Sequence, residues 1–242
     1  MLSAGQPPIT PALVNSPSSV PVTKTHIMPD LEPNGTSTHA AMHPQSNQVS
    51  PIQHIWVVTG PAGCGKSTVG QAIRQELNLP FLEGDDLTQF PAVPPQSQQR
   101  QDGQRHPLTD ADRWDWLISL RQAAIDALSP SESNNFHPPA GVVVACSALK
   151  QKYRDVMRVA AYGSPSVQIH FVYLKLTEAV LMQRVSQRKS HYMKSDMVQS
   201  QLAALEEPQG EWDAITINVE GSQEQVQQNV LKAVAEKLKE YS

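Results

Sequence analysis

The chain has 242 residues and a formal net charge of −4, and its 39% apolar and 17% charged composition suits one globular domain with a polar segment added. No basic run offers the electrostatic footprint of a nucleic-acid or anionic-membrane protein, and no apolar stretch approaches the roughly 18 residues needed to cross a bilayer. Two cysteines, Cys64 and Cys146, lack the paired spacing of a zinc site and suit a reducing compartment, so a cytoplasmic protein with no nucleic-acid or membrane partner is expected.

Residues 1–53 read as a tail. Nine of the 20 prolines fall within the first 51 residues, and only Lys24, Asp30 and Glu32 carry formal charge up to Gln53. No period of 2 or 3.6 is sustained there, and no signal or transit pattern is present. Such a stretch buries too little apolar surface to offset ordering entropy, so it is expected to be disordered, with no role assigned.

The domain, residues 54–242, opens with His54-Ile55-Trp56-Val57-Val58-Thr59, an apolar run that suits a buried parallel strand. Similar runs are Pro80–Leu82, Gly141–Ala145, Val167–Leu174 and Ala214–Val219. Between them lie helical patterns. Ser67–Leu77 follows the first strand. Asp112–Leu128 carries Leu117, Leu120, Ala124 and Leu128 at helical spacing behind a capping box of Thr109 with Asp112. The last helix starts at Ser222 with Gln225 as its box partner and aligns Val226, Val230, Val234 and Leu238. Strands alternating with helices imply an α/β fold with a parallel sheet covered on both faces.

Gly60-Pro61-Ala62-Gly63-Cys64-Gly65-Lys66-Ser67 matches G-x-x-x-x-G-K-[ST] in full, between a predicted strand and a predicted helix. The glycines let backbone N–H groups turn inward as an anion nest at a helix N-terminus. Lys66 then reaches the β- and γ-phosphates, the Ser67 hydroxyl can ligate Mg²⁺, and Thr68 can touch the α-phosphate. Cys64 is expected to be a small tolerated side chain rather than a reactive thiol. The loop points to ATP and leaves the acceptor open, since GTPases, motors and kinases share it; a domain of about 190 residues favours a small kinase.

Acceptor candidates follow the strand ends. Asp85 or Asp86, in Glu83-Gly84-Asp85-Asp86, can take a hydroxyl proton as the phosphoryl group moves. Ser147 is a candidate N-cap, and Lys150 and Arg154, four apart, are expected to share a helix face suited to a carboxylate or phosphoryl group. The basic stretch Arg184–Lys194 interrupts a helix and suits a lid, with the helix resuming at Ser195 and turning Val198, Leu202 and Leu205 inward.

GPAGCGKST, EGDDL, PLTDADRWDWL, VVVACSALKQKYRD and RVSQRKSHYMKSDMVQSQLAALEEP, in this order over residues 54–242, resemble gluconokinases of the phosphate-loop type related to shikimate kinase. The resemblance implies a P-loop NTPase-type three-layer α/β/α fold with a five-stranded parallel sheet and a mobile helical lid at about 184–196. It implies transfer of the ATP γ-phosphoryl to the 6-hydroxyl of D-gluconate, with Mg²⁺ and with gluconate as the small-molecule partner; a homodimer is compatible with it. By motif position, Lys66, Asp85 and Arg188 are the implied catalytic residues and Arg184 lies nearer the adenine. Lys150, Arg154, His191 and Gln201 are implied on the gluconate side. The chain departs from the family pattern at 88–106, which is longer, rich in proline and glutamine and without helical period. Kinases for another polyol acid or a nucleotide, and a nucleotide-binding protein without turnover, remain alternatives at this point.

Overall fold

The computed structural model describes residues 51–89, 110–187 and 195–241. Five strands form one all-parallel sheet: β1 (Gln53–Thr59), β2 (Phe81–Glu83), β3 (Gly141–Ala145), β4 (Val167–Lys175) and β5 (Ala214–Asn218), in the order β2-β3-β1-β4-β5. Among the described residues six α-helices accompany them: α1 (Lys66–Leu77), α2 (Asp110–Ala127), α3 (Gln151–Tyr162), α4 (Glu178–Gln187), α5 (Ser195–Ala203) and α6 (Gln223–Leu238). The five expected strands are all present, each shifted by no more than two residues at an end.

Alternation along the strands divides the core. Ile55, Val57, Val142, Val144 and Phe171 face α2 and α3, meeting Leu117, Leu120, Ala124, Met157 and Ala160. Trp56, Val58, Val143, Val172 and Leu174 face α1 and α6, meeting Val69, Ile73, Val226, Val230 and Val234. Both faces are covered, which explains why these strands read as continuous apolar runs rather than alternating ones. The α6 capping box is formed, with the Ser222 side chain accepting from the Gln225 N–H. Thr109, the partner expected for Asp112, lies outside the described residues.

The strand order reverses beside β1. The strands β2 and β3 lie on one side of it, β4 and β5 on the other, so β1 borders the switch point where ligand crevices form at the carboxyl ends of strands. The segment following β1 is Gly60–Ser67.

The opposite end of β1 carries a polar cluster within the α1/α6 face. His54 Nδ1 lies 2.9 Å from His170 Nε2, and Tyr241 packs edge-on against both rings. Burial, with the His54 and Lys237 charges, pulls His170 down to about 3, and burial lowers His54 as well. The unfolded chain therefore takes up protons below about 6.5 that the folded chain refuses, so stability falls as pH drops from that point. The thermal midpoint is expected to decline between pH 7 and pH 5, above the range in which carboxylates titrate. His170→Leu should flatten that decline, and an equally steep decline in the variant would remove the histidine pair as its cause.

Candidate active site

The site assembles on the carboxyl ends of β1, β3 and β2. Gly60–Gly65 links β1 to α1, and Gly65 caps that helix in the left-handed region at φ 108°. Gly63 also has positive φ, 90°, and a Cβ there would come within 2.8 Å of the Val185 side chain, so α4 leaves room only for glycine. The Lys66 ammonium donates to the carbonyls of Gly60 at 3.1 Å and Pro61 at 3.2 Å, which keeps it over the loop. Ser67 and Thr68 are exposed in the first turn of α1. Cys64 is 1% exposed; burial pushes its thiol up against the opposing Lys66 and Arg184 charges, which argues for a packing role rather than nucleophilic reactivity.

Both stems of the 188–194 stretch touch the phosphate loop. From α4, Arg184 donates to the Cys64 carbonyl at 3.3 Å and to the Val219 carbonyl. From α5, Gln201 Oε1 accepts from the Ala62 N–H at 2.6 Å. Arg184, Cys64, Thr68, Val219, Gly221 and Gln223 line a cavity of about 250 Å³ beside the loop. Arg188 and His191 lie outside the described residues.

Across from Lys66, β2 ends in Glu83 and turns through a 3-10 segment, Gly84–Gln89, that presents Asp85 and Asp86 to solvent. Glu83 lies beside Ser67 and in the fields of Asp85, Lys66 and Asp86. Burial first, then the two aspartates, hold its carboxyl above the usual range, against the neighbouring Ser67 hydroxyl and the Lys66 charge. Buried Cys146, at the end of β3, lies in the fields of Lys66, Asp85 and Glu83, and its thiol is raised by burial to about 12. Cation, hydroxyl and carboxylates thus converge on one strand-end crevice.

The β3–α3 loop differs from the sequence expectation. Helix α3 begins at Gln151 with Lys150 as its N-cap, so Ser147 does not cap it; the Ser147 carbonyl instead accepts from the Thr59 hydroxyl at 2.6 Å. Lys150 stands before the helix rather than sharing a face with Arg154. Its ammonium is 5.8 Å from the Tyr153 ring centroid. Arg154 is 1% exposed, with its guanidinium on Glu211 and on the carbonyls of Ala148 and Leu149. It braces the loop from beneath.

A family model described as an AAA domain matches residues 55–208. A probable gluconokinase of Schizosaccharomyces pombe is 40% identical over 185 residues, spanning 76% of this chain and 89% of that one. The chain belongs to the gluconokinase family. The thermoresistant gluconokinase of Escherichia coli is 31% identical over 75% of this chain and 93% of its own. A crystal structure of a gluconokinase from Sinorhizobium meliloti superposes with a TM-score of 0.61 at 35% identity, covering 79% of this chain and 99% of that chain.

Within this gluconokinase framework, three contributors escaped sequence reasoning. Glu83 was legible only as a strand-end acid two residues before Asp85. Trp116 on α2 donates its indole N–H to the Gly84 carbonyl at 3.0 Å, a contact spanning 32 residues. Glu206 accepts the Gln151 N–H at 2.7 Å and so caps α3 from a distant loop, where a carboxylate also complements the helix dipole.

Proposed function

We propose that this gluconokinase-family chain transfers the γ-phosphoryl group of ATP to the 6-hydroxyl of D-gluconate, giving 6-phospho-D-gluconate and ADP. The observation that carries the reading is the convergence of Lys66, Ser67, Glu83 and Asp85 on one crevice in a chain of this family. Asp85 takes the proton from the attacking hydroxyl as its oxygen bonds to the γ-phosphorus and the bond from that phosphorus to the β–γ bridging oxygen breaks. Lys66 and the backbone N–H groups of Gly63, Gly65, Lys66 and Ser67 stabilise charge on the β- and γ-phosphates. Arg184 and the adjoining cavity take the adenine end.

The neighbouring Ser67 hydroxyl and Glu83 carboxylate are the hard oxygen donors that Mg²⁺ prefers. Among the described residues no cluster of three or more His, Cys, Asp or Glu side chains could hold a metal alone, as suits an ion bound mainly through nucleotide phosphates. When bound, Mg²⁺ neutralises charge between the β- and γ-phosphates. Arg188 as phosphoryl clamp, and Lys150, His191 and Gln201 toward the sugar acid, are assignments by motif position. Arg154 is not among them. Among the described residues no helix is long and apolar enough to cross a membrane, and we take the protein to act in the cytoplasm.

Purified protein with ATP and Mg²⁺ should release ADP in proportion to D-gluconate and not to shikimate, nucleosides or other sugar acids. Equal rates across that panel would reject gluconate as the acceptor. Residues 1–53 have no part in the proposed chemistry, so deleting residues 2–50 should leave kcat within about twofold. A truncated chain that stays folded and loses activity would show that the tail acts on the site.

A further inference from the structure

The turn that carries Asp85 is held from two sides. A Cβ on Gly84 would lie 2.7 Å from the Ala145 carbonyl oxygen and 2.9 Å from the Trp116 ring, so the backbone is seated between the end of β3 and α2. The Trp116 indole N–H donates to the Gly84 carbonyl at 3.0 Å. That carbonyl and the Asp85 N–H share one rigid peptide plane, so fixing the oxygen fixes the bond from which the Asp85 Cα departs. The contact also joins residues on either side of 88–106, the stretch in which the chain departs from its family.

We propose that Trp116 is a positioning residue for phosphoryl transfer: its indole N–H sets the Gly84–Asp85 peptide, so α2 places the acceptor-side carboxylate whatever the composition of the stretch between them. The proposal rests on the reading of Asp85 as proton acceptor. A reacting group displaced by about 1 Å loses on the order of 10²-fold in rate, so losing one bond at this peptide has a measurable effect on the chemical step. The Trp116 ring also packs beside the α2/α3 core, and phenylalanine retains most of that contact while lacking the N–H.

The test is a kinetic cycle of Trp116→Phe, Asp85→Asn and the double variant, with rates normalised to the number of nucleotide-binding sites. Trp116→Phe is expected to lower kcat about tenfold, with KM for ATP changed by less than about twofold, because the contact touches the acceptor side alone. Asp85→Asn is expected to lower kcat by about 10²–10⁴-fold. In that background Trp116→Phe should add less than about twofold. Multiplying effects, or wild-type kcat in Trp116→Phe beside an impaired Asp85→Asn, would overturn the proposal alone. Wild-type kcat in Asp85→Asn would overturn the Asp85 assignment and the proposal with it. Should Trp116→Phe fold poorly, Gly84→Ala crowds the same peptide against the Ala145 carbonyl, and its effect should likewise vanish in the Asp85→Asn background; a multiplicative effect there overturns the proposal.

Discussion

Lys66→Met is expected to reduce kcat by about 10²–10³-fold while the protein stays folded. The reacting phosphoryl group needs little covalent help, so its transfer depends on charge held in place before the reaction begins. Lys66 provides that charge from a fixed position: its ammonium bonds to two carbonyls of the loop it follows, Gly60 and Pro61. Methionine preserves the length and the apolar stem and removes the charge and both bonds. Each bond contributes about 0.5–1.5 kcal/mol, so the thermal midpoint should fall by about 2–12 °C. Gluconate-dependent ADP release and a melting curve on one preparation check both parts. A variant retaining more than about a tenth of wild-type kcat would place the decisive charge elsewhere.

The phosphate loop was legible because its chemistry is local. Eight consecutive residues specify the turn, the nest and the cation, and the flanking apolar run marks the strand that precedes them. The sheet was legible for a related reason: helices cover both faces, so β1, β3 and β4 had to be mostly apolar. Arg154 was misjudged because the spacing rule for Lys150 and Arg154 assumes a helix containing both. The helix starts one residue after Lys150, and Arg154 turns inward to a carboxylate 57 positions away. The Trp116–Gly84 bond and the approach of Glu83 to Ser67 were hidden similarly, since each joins separate elements and leaves no periodic trace. Sequence pattern thus reported the elements and the phosphate-loop turn, whereas the surroundings of Glu83, Gly84 and Arg154 are built from contacts that only the fold brings together.

Those long-range contacts also set the second large effect. Arg158, on α3, bonds Asp213 through both Nε and Nη2 at 2.7 Å, reaches Asp155 at 2.6 Å and shares Glu211 with Arg154. Asp213 is fully buried one residue before β5, and its carbonyl accepts the Phe171 N–H at 2.8 Å where the β4–β5 ladder begins. The guanidinium lies 5.0 Å over the Phe171 ring. Burial alone would raise the Glu211 pKa, but hydrogen bonds from Arg154 and Arg158 outweigh it and hold the carboxyl below its usual value. Glu211 therefore stabilises the fold above the ordinary carboxylate range, and that contribution is lost as pH falls through its lowered folded value. Asp213→Ala removes the carboxylate that Arg158 holds through two bonds and leaves the buried guanidinium with Glu211 and the exposed Asp155, which costs about 3 kcal/mol and about 6–12 °C of thermal midpoint in a domain of this size. The decisive comparison is the pair Arg158→Met with Asp213→Leu, which removes both charges and fills the space. If the lost partner of the buried guanidinium is the cause, the double variant should recover most of the midpoint lost by Asp213→Ala. A double variant as unstable as the single would locate the loss in the shape of the β4–β5 junction instead.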